Sequence, residues 1–274
     1  MKKIGFIFFL LFLAGKLFSQ DTLLETTYQK ALKLKQQKNC SEAVELFEKI
    51  SRQNSGYKET GYHLGWCYNE LQQYGKALEV FQRKLPLTPS DYLLVYERAF
   101  SKKALGNWKE ALNDYNQVIE WQPTFAAAHS AIAELYKDQL KDTRTAAGYF
   151  QKAATLDTAE RKNFYWLGWC YNDLGAFEQA IPYLVRAAES PGFRALAFSE
   201  TGFSYYSLGN FQLALDFLTK SDNIRPQSEL TLYYIGICHV KTGNKPQAVK
   251  KYNELVVLGS DFAISLLNEI RNMK

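Results

Sequence analysis

The hexapeptide LGWCYN occurs twice, at Leu64–Asn69 and at Leu167–Asn172, and holds the residues best suited to chemistry in this chain. In both copies a Tyr lies four residues before the Trp, and an acidic residue follows the Asn. Aromatic side chains anchor peptides and partner proteins, and amide groups add hydrogen bonds. The same rings would stack on sugars. The pattern therefore predicts two related binding subsites.

The motifs of common catalytic and cofactor sites are absent from the sequence. GxSxG, HExxH, GxxxxGK[ST], GxGxxG and CxxC do not occur, so no nucleophile, zinc, phosphate or redox motif can be identified. The three histidines lie on three different predicted helices. We expect a protein that is not an enzyme and that needs no cofactor or metal.

Composition indicates a folded chain without a nucleic-acid surface. Hydrophobic residues make up 47% and aromatic residues 15% of the 274 residues, enough for a large core. Of the net charge of +5, three charges come from lysines in the first 19 residues, which leaves +2 for the rest. No run of five basic residues occurs. We therefore expect no nucleic-acid partner.

Residues 1–19 have the layout of a secretory signal peptide. Two lysines precede the apolar stretch Ile4–Ala14, and the small residue Ser19 precedes Gln20. The stretch is short for a bilayer span, and no later stretch could cross a membrane, so we expect no integral span in the mature chain. The alternative is an uncleaved anchor, because Lys16 interrupts the segment and Leu17 is large for its position. We expect export to the periplasm or cell envelope of a bacterium.

The two hexapeptides lie 103 residues apart because the chain repeats every 34 residues. Seven blocks begin at Leu24, Lys58, Tyr92, Ala126, Arg161, Ala195 and Glu229. The fourth block is one residue longer, within KDQLKDTRTAA.

Small residues recur at two positions of every block. Position 8 holds Ala31, Gly65, Ala99, Ala133, Gly168, Gly202 or Gly236. About twelve residues later stands Ala43, Ala77, Ala111, Ala146, Ala180, Ala214 or Ala248. Two helices approach closely only where neither carries a bulky side chain, and glycines between the two positions provide helix ends. Each block is therefore predicted to be a helical hairpin.

This pattern resembles the tetratricopeptide repeat family, whose repeat has a small residue at position 8, an aromatic at 11, Ala at 20 and Pro at 32. Tyr68, Tyr136, Tyr171 and Tyr205 match position 11. The resemblance implies an all-α fold, a right-handed α-solenoid of about seven hairpins over residues 20–260. The tail, residues 261–274, has apolar residues at helical spacing and is predicted to cap the last hairpin. The alternative is that it docks elsewhere.

In this family the first helices of the hairpins line a concave surface, through positions 2, 5, 9, 12 and 13. The resemblance therefore implies these partner-binding residues: Tyr62, Trp66, Asn69, Tyr96, Phe100, Tyr165, Trp169, Asn172, Phe203 and Tyr206. The alternative is that these side chains pack between neighbouring hairpins. Position 5 holds no lysine in any block, so the family's carboxylate clamp for chaperone C-termini is not expected.

Three of the four cysteines, Cys67, Cys170 and Cys238, fall at position 10 of their blocks. Equivalent positions in separated hairpins lie well beyond the roughly 7 Å that a disulfide tolerates between Cα atoms. We expect free, buried thiols.

These observations favour an exported, non-enzymatic interaction scaffold that binds a peptide or partner protein within an envelope complex. Two alternatives stay open. One is a carbohydrate-binding accessory of an envelope uptake system, and the other is a structural subunit that self-associates.

Overall fold

A computed structural model describes residues 21–85 and 91–273, which belong to two compact units divided after Pro123. The predicted signal peptide, residues 1–19, lies outside these residues. The described residues form helices and turns, with no strand, so the all-α prediction is confirmed. Within them, no helix combines the length and the apolar character that crossing a bilayer requires.

Unit 1 contains three hairpins. Residues 21–36 are helical and form α1. The further helices are α2 (Cys40–Gln53), α3 (Thr60–Glu70), α4 (Tyr74–Lys84), α5 (Tyr92–Ala104) and α6 (Trp108–Trp121). Odd-numbered helices are the first of each hairpin, and successive hairpins contact through α2 with α3 and α4 with α5.

Unit 2 contains four hairpins and a final helix. Its elements are α7 (Ala126–Leu135), α8 (Thr143–Leu156), α9 (Arg161–Asp173), α10 (Phe177–Ala187), α11 (Pro191–Ser207), α12 (Phe211–Ile224), α13 (Glu229–Lys241), α14 (Lys245–Val257) and α15 (Phe262–Arg271). The extra residue of the fourth block is accommodated by a π-helical turn, Tyr136–Leu140, that extends α7.

Side-chain caps and left-handed residues set the helix ends. Asp91 accepts hydrogen bonds from the backbone N–H groups of Leu93 and Leu94, which begins α5. Gly175 has φ of 73° at the turn between α9 and α10, a conformation that glycine adopts without a Cβ clash. The helix ends predicted from the glycines are therefore found where expected.

The repeating small residues lie where the two helices of a hairpin meet. All seven alanines of the second helices are fully buried, with 0% exposure. A Cβ placed on Gly168 would lie 2.5 Å from Cγ of Leu184, and one on Gly202 would lie 2.5 Å from Cγ of Leu218. The glycines thus make room for the large residue four positions after the alanine, as the hairpin prediction requires.

The tail covers the last hairpin of unit 2. Helix α15 packs against α13 and α14. Leu266, Ala263 and Ile270 join a buried cluster with Leu232 and Leu255. The apolar end of the hairpin stack is thereby removed from solvent, which is the role predicted for this segment.

All four cysteines are free and buried. Burial raises the pKa of Cys170 and of Cys238 to about 12, which keeps both thiols protonated and unreactive. Burial, followed by a hydrogen bond with Cys40, raises the pKa of the Cys67 thiol.

Candidate functional site

Asn69 is the centre of a buried polar network that joins α3 to α5 in unit 1. Its Nδ2 donates to the backbone oxygen of Glu97 at 3.2 Å and to the carboxylate Oε2 of Glu97 at 2.9 Å. The Ser101 hydroxyl lies 2.7 Å from Asn69 Oδ1 and 3.0 Å from the Glu97 carbonyl oxygen. Each polar atom of the amide therefore has a partner inside the protein.

Unit 2 repeats this network between α9 and α11. Asn172 Nδ2 donates to the backbone oxygen of Glu200 at 3.1 Å and to its Oε2 at 2.9 Å. The Ser204 hydroxyl lies 2.7 Å from Asn172 Oδ1. The distances differ from those of unit 1 by no more than 0.1 Å.

The network places the two asparagine amides away from the surface on which the sequence predicts them. Asn69 is only 4% and Asn172 only 6% exposed, so their amides do not face the surface formed by the first helices, here called the first-helix surface. Tyr165, also predicted on that surface, is 6% exposed. These three side chains pack between neighbouring hairpins, which is the alternative that the sequence left open. The reason is that each asparagine finds a Ser and a Glu one turn apart on the next first helix.

Burial raises the pKa of both network carboxyl groups, Glu97 and Glu200, and the asparagine hydrogen bonds oppose that rise. Near Glu97 the charge of Lys35 also opposes the rise. For Glu200, burial is opposed by the Asn172 hydrogen bond alone.

The raised pKa of Glu200 predicts a specific dependence of stability on pH. Between the ordinary glutamate pKa of about 4.3 and the raised value, the folded chain binds more protons at this site than the unfolded chain. The contribution of Glu200 is therefore fully present below the ordinary pKa and is lost as the pH rises through the raised pKa.

We expect Glu200→Gln to remove this loss, so that the stability difference between variant and parent grows in favour of the variant as pH increases. Urea unfolding at a series of pH values measures that difference. Glu269→Gln, at a side chain that is 45% exposed, is the control. Parallel pH profiles for the parent and Glu200→Gln would contradict the prediction.

In unit 1, Lys35 of α1 holds its ammonium group among the rings of α3. Its Nζ lies 4.3 Å from the ring centre of Trp66 and 5.1 Å from that of Tyr62. It also lies 3.0 Å from Nδ1 of His63. Burial, followed by the charge of Lys35, lowers the pKa of His63 to about 4, so a neutral imidazole accepts this hydrogen bond at neutral pH.

In unit 2 the equivalent lysine, Lys137, is held differently. Its ammonium group lies 3.8 Å from the ring centre of Trp166 and 5.7 Å from that of Trp169, and it pairs with Asp138. Its side chain is 10% exposed. The difference from unit 1 arises because Trp166 occupies the position that His63 holds there.

A cleft of about 340 Å³ opens in unit 2 beside the asparagine network, and we call it the Trp169 cleft. Aromatic side chains form part of its lining. The ring centres of Phe203 and Tyr234 lie 5.3 Å apart there. The polar residues of the lining are Asn172, Asp173, Ser199 and Glu200, although the Asn172 amide itself is turned toward Glu200 and Ser204. The structure thus brings three predicted residues, Trp169, Asn172 and Phe203, together at one site.

The other predicted residues are half-buried on their helices. In unit 1 these are Tyr62, Trp66, Tyr96 and Phe100, and in unit 2 Tyr206. Trp66 and Trp169 pack partly against buried core clusters, so each ring combines a structural role with an exposed edge. Truncation of either ring is therefore expected to cost some stability, which the sequence alone does not indicate.

Sequence reasoning missed Glu200, Tyr234 and Lys35 as members of these clusters. The sequence does contain a signal that could have identified Glu200. Glu97 and Glu200 are 103 residues apart, as are Ser101 and Ser204, the same offset as the two hexapeptides. Tyr234 has no aromatic counterpart at this offset, because the residue 103 positions earlier is Ala131, in the first block of unit 2.

A larger cleft of about 540 Å³ lies elsewhere in unit 1, among α2, α3 and α4. Its carboxylate Glu48 is already held by Arg52 and by the Tyr68 hydroxyl. The hydrogen bond from Tyr68 is the main reason that the pKa of Glu48 is lowered. We therefore regard the smaller Trp169 cleft as the better candidate site. Among residues 21–85 and 91–273 no group of His, Cys, Asp or Glu side chains is arranged to bind a metal ion.

Sequence profiles confirm the repeats that the residues predict. A profile described as TPR repeat matches residues 101–139. Profiles described as tetratricopeptide repeat match residues 162–191, and residues 59–83 and 230–257.

Known proteins with the same repeat are distant relatives. The tetratricopeptide repeat and J domain-containing co-chaperone DNJ1 of Fusarium oxysporum f. sp. lycopersici is 28% identical over 131 residues. That match covers 44% of this chain and a quarter, 25%, of the fungal protein.

Two solved structures are similar in fold. The C-terminal part of a TPR repeat-containing protein from Cytophaga hutchinsonii has a TM-score of 0.68 at 19% identity, covering 88% of this chain and 99% of that one. YrrB, described as a TPR protein with an unusual peptide-binding site, has a TM-score of 0.59 at 20% identity, covering 68% and 96%. At these identities the likeness establishes the tetratricopeptide-type fold.

Proposed function

We propose that this chain is an exported, non-enzymatic scaffold whose first-helix surface holds a peptide or partner protein. The observation that carries the proposal is the Trp169 cleft, where rings from three successive first helices converge beside a half-buried carboxylate. Aromatic anchors that keep an exposed edge in a cleft are typical of surfaces that bury a partner. The peptide-binding site described for YrrB supports a peptide ligand for this fold.

Two further observations support the proposal. All four thiols are buried, and those of Cys170 and Cys238 are held protonated, so these two offer no nucleophile. The N-terminal pattern of two lysines, an apolar segment and a small residue supports export through a secretion signal that ends near Ser19.

The partner can be captured in the cells that produce the protein. A photoreactive phenylalanine analogue at Phe203 places the crosslinker in the cleft, and the same analogue at Val257, which is 86% exposed on α14, serves as the matched control. We expect a crosslinked partner from position 203 and none from position 257.

Trp169→Ala in the crosslinking protein should weaken capture more than about tenfold, since truncation of such an anchor commonly costs 2 kcal/mol or more. The intact mass of the captured protein should correspond to a chain beginning near Gln20. Equal crosslinking from both positions would contradict the binding role. A product starting at Met1 in the cytosolic fraction would contradict export.

A further inference from the structure

The Trp169 cleft contains a half-buried carboxylate, Glu200, that pairs with no cation among residues 21–85 and 91–273. Glu200 accepts one side-chain hydrogen bond, from Asn172, and forms no ion pair within residues 91–273. Asp173 adds a second carboxylate to the lining, and Thr143 donates to it at 2.7 Å. The lining residues in the described chain include no Lys, Arg or His. A charge that is partly removed from water without a counter-ion is costly, so the cleft favours a positively charged occupant.

The aromatic lining favours the same occupant. Trp169, Phe203 and Tyr234 all border the cleft. The face of an aromatic ring attracts an ammonium or guanidinium group placed within about 6 Å of its centre. Rings and carboxylates around one cleft therefore select a cation carried on an apolar stem, and reject an anion.

Unit 1 shows how the duplicated arrangement accommodates such a group. There the chain supplies its own ammonium, Lys35, which lies against Trp66 and Tyr62 and near the network carboxylate Glu97. Its Nζ is also hydrogen-bonded to His63. One copy of the duplicated cluster is thus already filled by a lysine side chain.

In unit 2 the corresponding lysine does not fill the cleft. Lys137 is held over Trp166 and paired with Asp138, and it is not among the residues that line the cleft. The copy that contains Glu200 keeps the Trp169 ring and the carboxylate of the cluster, but its lysine ammonium lies 5.7 Å from the Trp169 ring centre and does not line the cleft.

We propose that the Trp169 cleft binds the cationic side chain of a lysine or arginine in an extended partner peptide, in the manner that Lys35 occupies the equivalent cluster of unit 1. This inference rests on the proposed function, because it assigns the chemistry of the peptide that the first-helix surface holds. A volume of about 340 Å³ accommodates one long side chain together with part of its backbone.

The test uses the mature chain labelled with 5-fluorotryptophan, whose five tryptophans give five fluorine resonances. The spectrum of Trp169→Phe identifies the Trp169 signal. The probes are an acetylated, amidated pentapeptide with lysine between alanines, the same peptide with norleucine in place of lysine, and a cello-oligosaccharide. We expect the lysine peptide to shift the Trp169 signal, and the norleucine peptide to bind at least tenfold more weakly.

The variant Glu200→Gln should weaken binding of the lysine peptide at least tenfold. Its matched control is Glu97→Gln in unit 1, where Lys35 already fills the cluster, and this variant should leave the affinity unchanged. Equal affinity of the two peptides, or no effect of Glu200→Gln, would overturn the inference. A Trp169 shift caused by the oligosaccharide alone would overturn it in favour of a sugar ligand.

A second arm tests the equivalence of the two clusters. Lys35→Ala vacates the cluster of unit 1, and n-butylammonium replaces the missing head group. We expect n-butylammonium to shift the Trp66 signal of this variant but not of the parent, and n-butanol to shift neither. No response to n-butylammonium in a variant that keeps its helical spectrum would contradict the equivalence.

Failure of the inference and failure of the proposed function give different results. If crosslinking from position 203 still captures a partner and Glu200→Gln does not weaken that capture, the scaffold role stands and the cationic ligand is wrong. If the parent captures nothing, the proposed function itself is wrong.

Discussion

Replacement of Asp114 by alanine is expected to lower the free energy of unfolding by about 3 kcal/mol or more. The Asp114 carboxylate receives two hydrogen bonds from Arg98, each 2.7 Å long, and an ion pair from Lys102, also at 2.7 Å. Its side chain is 8% exposed, and those of Arg98 and Lys102 are 20% and 17% exposed. Removal of the one acid leaves two largely buried cations without their partner, and their mutual repulsion adds to the cost.

The measurement is urea unfolding followed by circular dichroism. Arg52→Ala is the control, because it removes an ion pair whose arginine is 75% exposed on α2 and should change stability by less than about 1 kcal/mol. Similar losses in the two variants would show that burial of the Asp114 cluster contributes nothing.

Leucine at Gly168 is expected to destabilise the protein by about 1–3 kcal/mol, whereas leucine at Gly148 should stabilise it by about 0.5–1 kcal/mol. Both glycines lie inside helices of unit 2, Gly168 in α9 and Gly148 in α8. A Cβ at position 168 would lie 2.5 Å from Cγ of Leu184 and 3.2 Å from the carbonyl oxygen of Ala180. At position 148 a Cβ would meet nothing within 4 Å.

The pair separates packing from helix propensity, because the same residue replaces glycine in the same kind of helix. Thermal melting of both variants gives the sign of each effect. If Gly168→Leu melts at or above the parent temperature, the close approach of α9 and α10 is wrong.

The positions of the hairpins were predictable from the sequence because their causes are local and repeated. A close helix contact requires a small residue on each helix. Such a pair of small residues, about twelve positions apart, occurs in each of the seven blocks. A left-handed helix end favours glycine for its own backbone reasons, as at Gly175 and Gly209. Neither feature depends on which hairpin is the neighbour.

The candidate site was predicted only in part. The Trp169 cleft contains predicted rings and a predicted amide, but the sequence could not show which groups of Asn172 and Trp169 remain exposed. Trp169 and Asn172 are three residues apart on one helix, so their side chains point in directions about 60° apart around the helix axis. Asn172 therefore lies at the border between the open surface and the next first helix. The Ser204 hydroxyl and the Glu200 carboxylate on that helix determine that its amide turns inward.

The two lysines show what the tertiary structure alone decides. Lys35 and Lys137 hold the same position in their blocks, and each precedes a copy of LGWCYN. A neutral imidazole at His63 accepts a hydrogen bond from Lys35, whereas the indole ring of Trp166 attracts Lys137 across its face. The sequence determines the repeat because each hairpin is specified by its own residues. A flexible charged side chain instead takes the position of lowest electrostatic free energy, which depends on neighbours that only the folded chain brings within 4–6 Å.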